Sequence, residues 1–153
     1  MNKLELAESA EKVLNEMGYG YDAKSAVLFA IVTSPNGVIS LSEVSRHGDV
    51  YELLKAKDAV SALAENDAIL LATCGWAAPV AEDEDGDELA PSQHPKRRRV
   101  RLAVSVSDEG VASVLRFQDE PEDTVTDDGN ASGSLADAVL SLRSKARKKK
   151  NKK

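Results

Sequence analysis

One cysteine, Cys74, and two histidines, His47 and His94, are the only soft metal ligands and imidazole bases in 153 residues. A lone cysteine excludes an internal disulfide and any zinc site built from several thiolates, and it favours a reducing compartment. Aromatic residues make up only 4% of the chain, so a core must be filled mainly by Val, Leu, Ile and Ala. No apolar run approaches twenty residues, and Met1-Asn2-Lys3-Leu4-Glu5 lacks the apolar centre of a signal peptide. A soluble cytoplasmic protein with no membrane contact is expected. Neither a glycine-rich phosphate loop nor a dinucleotide-binding fingerprint occurs, and no cofactor is implied.

Charge, by contrast, is abundant and sorted. The last eleven residues carry Arg143, Lys145, Arg147, Lys148, Lys149, Lys150, Lys152 and Lys153 and no acid. The 142 residues before them hold 12 basic and 26 acidic side chains, a balance of −14 against a tail of +8. An acidic body with a basic tether holds itself off most surfaces yet can grip a polyanion. The length fits one domain able to bury a core unaided. We therefore divide the chain into a single domain, 1–142, and a basic tail, 143–153.

Hydrophobic periodicity predicts a helix over 3–17, with Leu6, Ala10, Val13, Leu14 and Met17 on one face, Glu5, Glu8, Glu11 and Lys12 largely off it, and Gly18 as its stop. Residues 26–44 admit two readings. Ala26–Thr33, the turn Ser34-Pro35-Asn36-Gly37 and Val38–Val44 favour a β-hairpin. The same letters allow a helix from Asp22 to Thr33. Asp49 with Glu52 opens a helix running to about Ala64, with Val50, Leu53, Leu54, Val60 and Leu63 inward and a possible break at Asp58. Ala68–Cys74 is apolar throughout, as a strand covered on both faces should be.

The acidic stretch Glu82-Asp83-Glu84-Asp85-Gly86-Asp87-Glu88 marks 80–95 as a loop. Residues 97–118 form a hairpin around a Ser107-Asp108-Glu109-Gly110 loop. Its register sets Val106 against Val111, Leu102 against Leu115 and Val100 against Phe117, keeping one face apolar. A second acidic loop is expected over 119–133. Ser134 with Asp137 then opens a last helix with Leu135, Val139 and Leu142 inward, running on into the lysines. The fold class is α+β: helices packed on a mostly antiparallel sheet in the order α-β-β-α-β-β-β-α.

The candidate binding residues follow from charge and rarity. Arg97, Arg99 and Arg101 alternate onto one strand face, and the hairpin register sets Arg101 opposite Arg116. Like charges directly across a sheet are unfavourable unless an anion lies between them. That anion is a ligand phosphate, a partner carboxylate or, as the blandest reading, the protein's own acidic loop. Trp76, at a strand end beside Gly75, is expected in the core, and if exposed it becomes a binding anchor. The tail cations fit non-specific, salt-dependent contact with nucleic acid; a solvated tail is the plainer alternative.

Two sharper functions compete. Zinc-dependent nucleobase deaminases share an α-β-β-α-β order and a His-x-Glu at a helix start. Here Asp49 replaces the glutamate, and only His47 and Cys74 remain as ligands, too few for a stable site. His94-Pro95 reads as a turn, and no catalytic residue is assigned. If 22–33 is a helix, the chain instead takes a winged helix-turn-helix order, with Ser40–Gly48 as its first helix and turn. Its recognition helix would then carry Glu52, Lys55, Lys57 and Asp58, a poor face for phosphate.

Gly75-Trp76-Ala77-Ala78-Pro79, then Pro91–Leu102, then Leu135-Ala136-Asp137-Ala138 resemble small uncharacterised proteins of actinobacteria and their phages. The resemblance covers the second half and implies a bacterial cytoplasmic setting but no activity. The reading that results is a non-enzymatic binding or regulatory protein that works through protein or polyanion contacts, its tail acting as an electrostatic tether.

Overall fold

The computed structural model describes residues 2–77, 95–128 and 134–151. The chain runs α1 (Lys3–Glu16), β1 (Ala26–Thr33), β2 (Ile39–His47), α2 (Val50–Lys55), α3 (Lys57–Glu65), β3 (Ala68–Ala77), β4 (Arg98–Ser107), β5 (Gly110–Phe117), β6 (Thr124–Asp127) and α4 (Ser134–Asn151). The six strands form one sheet in the order β2-β1-β3-β4-β5-β6, with every neighbouring pair antiparallel. This is an α+β domain. Residues 80–94 of the acidic loop expected over 80–95, and residues 129–133 of the one expected over 119–133, lie outside the described residues.

A period of two along the strands sends alternate apolar side chains to opposite faces of the sheet, each face carrying a core. Val27, Phe29 and Ile31 of β1, Leu70 and Ala72 of β3, and Ala103 of β4 meet Ala10 and Leu14 of α1. The alternate residues Leu28, Ile69, Leu71, Val104 and Val106 meet Leu53 and Leu54 of α2, Ala59, Ala62 and Leu63 of α3, and Val139, Leu142 and Ala146 of α4. One helix thus covers one face and three cover the other. That is why β1 and β3, in the middle, are apolar almost without interruption. Leu70 and Leu71 are fully buried, on opposite faces; truncating either to alanine costs about 2–5 kcal/mol.

The β4–β5 register is the expected one at Val106↔Val111, Leu102↔Leu115 and Val100↔Phe117. Ser107 pairs with Gly110, so the loop narrows from four residues to Asp108-Glu109. Gly110 takes φ +135, a backbone conformation that side chains disfavour. At the end of α1, Gly18 (φ +80) turns the chain back toward the sheet.

Two expectations need correction. The helix expected over 49–64 is two helices, broken at Ala56 (ψ 148) rather than at Asp58. At 3.6 residues per turn, Leu53 and Leu54 would point nearly opposite to Ala59, Ala62 and Leu63 on one straight helix. The extended Ala56 re-aims the second piece so that both sets reach the same core. Second, the acidic segment after β5 contains a strand: β6 pairs Thr124–Asp127 with Ser113–Arg116. The hairpin favoured for 26–44 is present: residues 26–33 are β1 and residues 39–47 are β2, paired antiparallel, which removes the helices on which the winged helix-turn-helix alternative depended.

Candidate functional site: an arginine ladder behind the loop after α1

The β4 pairing sets Arg101 opposite Arg116 and Arg99 opposite Trp76. Arg99 and Arg101 share the face covered by α1. The anion that this pairing requires is Glu11. It lies in the buried α1 stripe Ala7, Ala10, Glu11, Leu14, spaced as one helix face demands, and is 1% exposed. Its Oε2 accepts from Arg101 Nη2 at 3.0 Å and Arg116 Nε at 2.7 Å, and its Oε1 from Arg116 Nη2 at 2.6 Å. Burial alone pushes the Glu11 carboxyl up, but the two guanidiniums outweigh it and hold the group below its ordinary 4.5. The facing arginines find their counter-charge within the domain, in a helix residue rather than in the acidic loop.

Arg101 is 1% exposed. Besides Glu11 it donates to Asn15 Oδ1 at 2.7 Å and to the carbonyl of Tyr19, with the Tyr21 ring 4.9 Å from its guanidinium carbon. Arg116 also donates to the carbonyl of Pro121. Arg99 donates to the carbonyl of Tyr21 at 2.7 Å and stands 3.4 Å from Asp22. Cys74, the β3 residue directly opposite Arg101, donates from Sγ to the carbonyl of Gly20 at 3.3 Å. Three consecutive loop carbonyls, Tyr19, Gly20 and Tyr21, are thus each held by a side chain from β3 or β4. A loop has no ladder of its own to satisfy its backbone, and these donors supply one. Burial pushes the Cys74 thiol up, which suits an inert anchor rather than a nucleophile.

Tyr19 completes the staple. Its hydroxyl lies 3.3 Å from the carbonyl of Ser25 and 3.4 Å from that of Ala72, and its ring meets Phe29 edge-on at 6.4 Å. Burial, helped by the neighbouring Cys74, pushes its phenol up to about 12, so the group stays protonated and donating.

Trp76 is 39% exposed, not packed in the core as expected. The guanidiniums of Arg97 and Arg99 each lie 4.9 Å from its ring centroid. Cation–π contact takes the place of apolar burial for this ring. On the other sheet face Arg98 lies 3.9 Å from the Phe117 ring and pairs with Asp119 at 2.7 Å and Glu120 at 3.5 Å.

The basic C-terminal residues do not begin at a structural boundary. Helix α4 runs unbroken through Leu142 to Asn151. Ala146 is 3% exposed against the α2–α3 core. Arg143 donates to the carbonyls of Ser107 at 3.0 Å and Asp108 at 2.7 Å, and Lys149 donates to Ser61 Oγ at 2.6 Å. Lys145, Arg147 and Lys148 are exposed. The Lys150 side chain, Lys152 and Lys153 lie outside the described residues.

Asp49 caps α2, accepting from the amides of Tyr51 and Glu52, while His47 Nδ1 accepts from the Asp49 amide at 2.9 Å. Among the described residues no group of three or more His, Cys, Asp or Glu side chains is placed to hold a metal ion. No helix among the described residues is long and apolar enough to cross a membrane. Comparison with protein-family models, curated proteins and solved structures found no match to this chain.

Proposed function

We propose that this protein works by contact rather than by catalysis, and that its principal contact is the outer face of α4 against a polyanion. The observation that carries this reading is the docking of Ala146, Arg143 and Lys149 onto the domain. It turns a run of cations into a fixed rod whose Lys145, Arg147 and Lys148 face water. A rigid helix presents its charges without the ordering cost that a flexible tail incurs on binding. Arg143 and Lys149 are engaged at home, so they contribute less than a simple charge count implies.

The acidic remainder of the chain opposes any polyanion at long range. Screening confines that repulsion to about 8 Å at physiological salt, while direct phosphate contacts persist. Binding is therefore weak, non-specific and steeply salt-dependent. Lys145, Arg147 and Lys148 alone give a logarithmic salt slope on duplex DNA of about −2.7. Trp76, presented between two guanidiniums at the far end of β4, is the anchor offered to a protein partner. The test is retention on duplex DNA across a salt series. The variant Lys145→Glu/Arg147→Glu/Lys148→Glu, all at exposed positions, should elute at lower salt with a clearly shallower slope. Unchanged elution refutes the reading.

A further inference from the structure

A cavity of about 540 Å³ opens on the α1 side of the sheet, beyond the end of α1 and over β1 and β2. Its size falls within the roughly 300–1,000 Å³ typical of small-molecule sites. Val27 and Phe29, each 3% exposed in total, form the floor. Met17, more than half exposed, forms an adaptable apolar wall at the helix end. The loop residues Ala23 and Lys24 form the opposite wall, and Arg46 and Glu43 of β2 close the rim.

The loop that supplies this wall is held just before it, at the carbonyls of Tyr19, Gly20 and Tyr21, by Arg101, Cys74 and Arg99, and Tyr19 itself lines the cavity, so the cavity is formed before anything enters it. A pre-formed wall spares a ligand the cost of ordering it. The arginine ladder therefore has a consequence outside the core it stabilises.

The polar groups at the mouth decide what the cavity accepts. Lys24 has no ion-pair partner among the described residues, while Arg46 is paired with Glu43. Two cations against one carboxylate leave a positive excess. The carbonyl end of α1 offsets part of it, with about half a negative charge at full strength. The Tyr19 hydroxyl is turned to Ser25 and Ala72 and stays protonated, so it adds no negative charge. We infer that this cavity binds a small amphipathic monoanion, its apolar body on Val27, Phe29 and Met17 and its acidic head between Lys24 and Arg46.

The experiment uses the full chain, octanoate as probe, and octylamine as the same apolar body with the opposite charge. Binding is followed by backbone amide NMR shifts. Octanoate should move signals of residues 17–29 and 43–46, and octylamine should bind at least about tenfold more weakly, the ratio that 1.4 kcal/mol produces. Lys24→Glu, at an exposed position, should weaken octanoate by about fivefold or more, as loss of a partly screened ion pair requires. Ala23→Phe, which fills the mouth, should abolish the shifts while leaving the remaining spectrum folded. Absence of shifts at millimolar octanoate, or shifts centred elsewhere, overturns the site. Equal affinity for acid and amine, or indifference to Lys24→Glu, overturns the ligand class.

Discussion

Replacing Glu11 with glutamine keeps the shape of the side chain and removes its charge. The carboxylate accepts three hydrogen bonds from two guanidiniums. An amide offers one oxygen to them and turns its own N–H groups toward donors. The local charge rises from one excess positive to two, with Arg101 only 1% and the Arg116 side chain 14% exposed. Breaking a buried ion pair from one side costs about 3–5 kcal/mol, a large part of the about 5–15 kcal/mol that holds a domain together. For a chain of this size each kcal/mol lowers Tm by about 2–4 °C, so a fall of roughly 6–20 °C is expected. Urea unfolding followed by far-ultraviolet circular dichroism measures the difference directly. Replacing the whole triad with apolar residues of similar volume should restore stability, because the cost lies in the unpaired charges. The acid limb supplies a second readout. The folded Glu11 carboxyl lies below its ordinary 4.5, so its contribution is present above that pH and lost as pH falls through the depressed value. Wild type should therefore lose stability below pH 4.5 more steeply than Glu11→Gln. A loss under about 1 kcal/mol, or parallel acid limbs, refutes the account of the triad.

Truncation after Leu142 should destabilise the fold by about 2–4 kcal/mol, since it deletes buried Ala146 and both Arg143 hydrogen bonds. Truncation after Lys149 should change stability by less than about 0.5 kcal/mol; thermal melts of the two proteins distinguish a docked helix from a free tail. Gly110→Ala places a Cβ 3.0 Å from Lys3 Cδ on a backbone with φ +135, and should cost about 1–3 kcal/mol by urea unfolding. Gly20→Ala, in open space, is the near-neutral control.

The sequence made the sheet legible where alternation was strong. The β4–β5 register followed from matching apolar positions, and the doubly covered β3 from an unbroken apolar run. β6 was hidden because Thr124-Val125-Thr126-Asp127 is short, exposed and set among acids, with β5 as its sole sheet neighbour. The break at Ala56 was visible as a mismatch of phase, yet no proline or glycine announced it. Glu11 was missed for a different reason. Beside Glu8 and Lys12 it reads as solvent-facing, and its burial is decided by two arginines about a hundred residues away. The facing arginines did signal that an anion was needed; the stripe Ala7, Ala10, Leu14 could have named it. The cavity had no signal in the sequence at all, because its walls come from four separate segments.

The strand order has a mechanical consequence. Four of the five ladders join strands that follow one another along the chain, and β1–β3 alone joins two that do not. The sheet is therefore a hairpin and a four-stranded meander sewn along one seam, with Ala10 and Leu14 of α1 laid across the stitch against both parts. Any motion that separates the two must unzip Val27–Ile31 from Ala68–Ala72 and drag α1 off its bed at the same time.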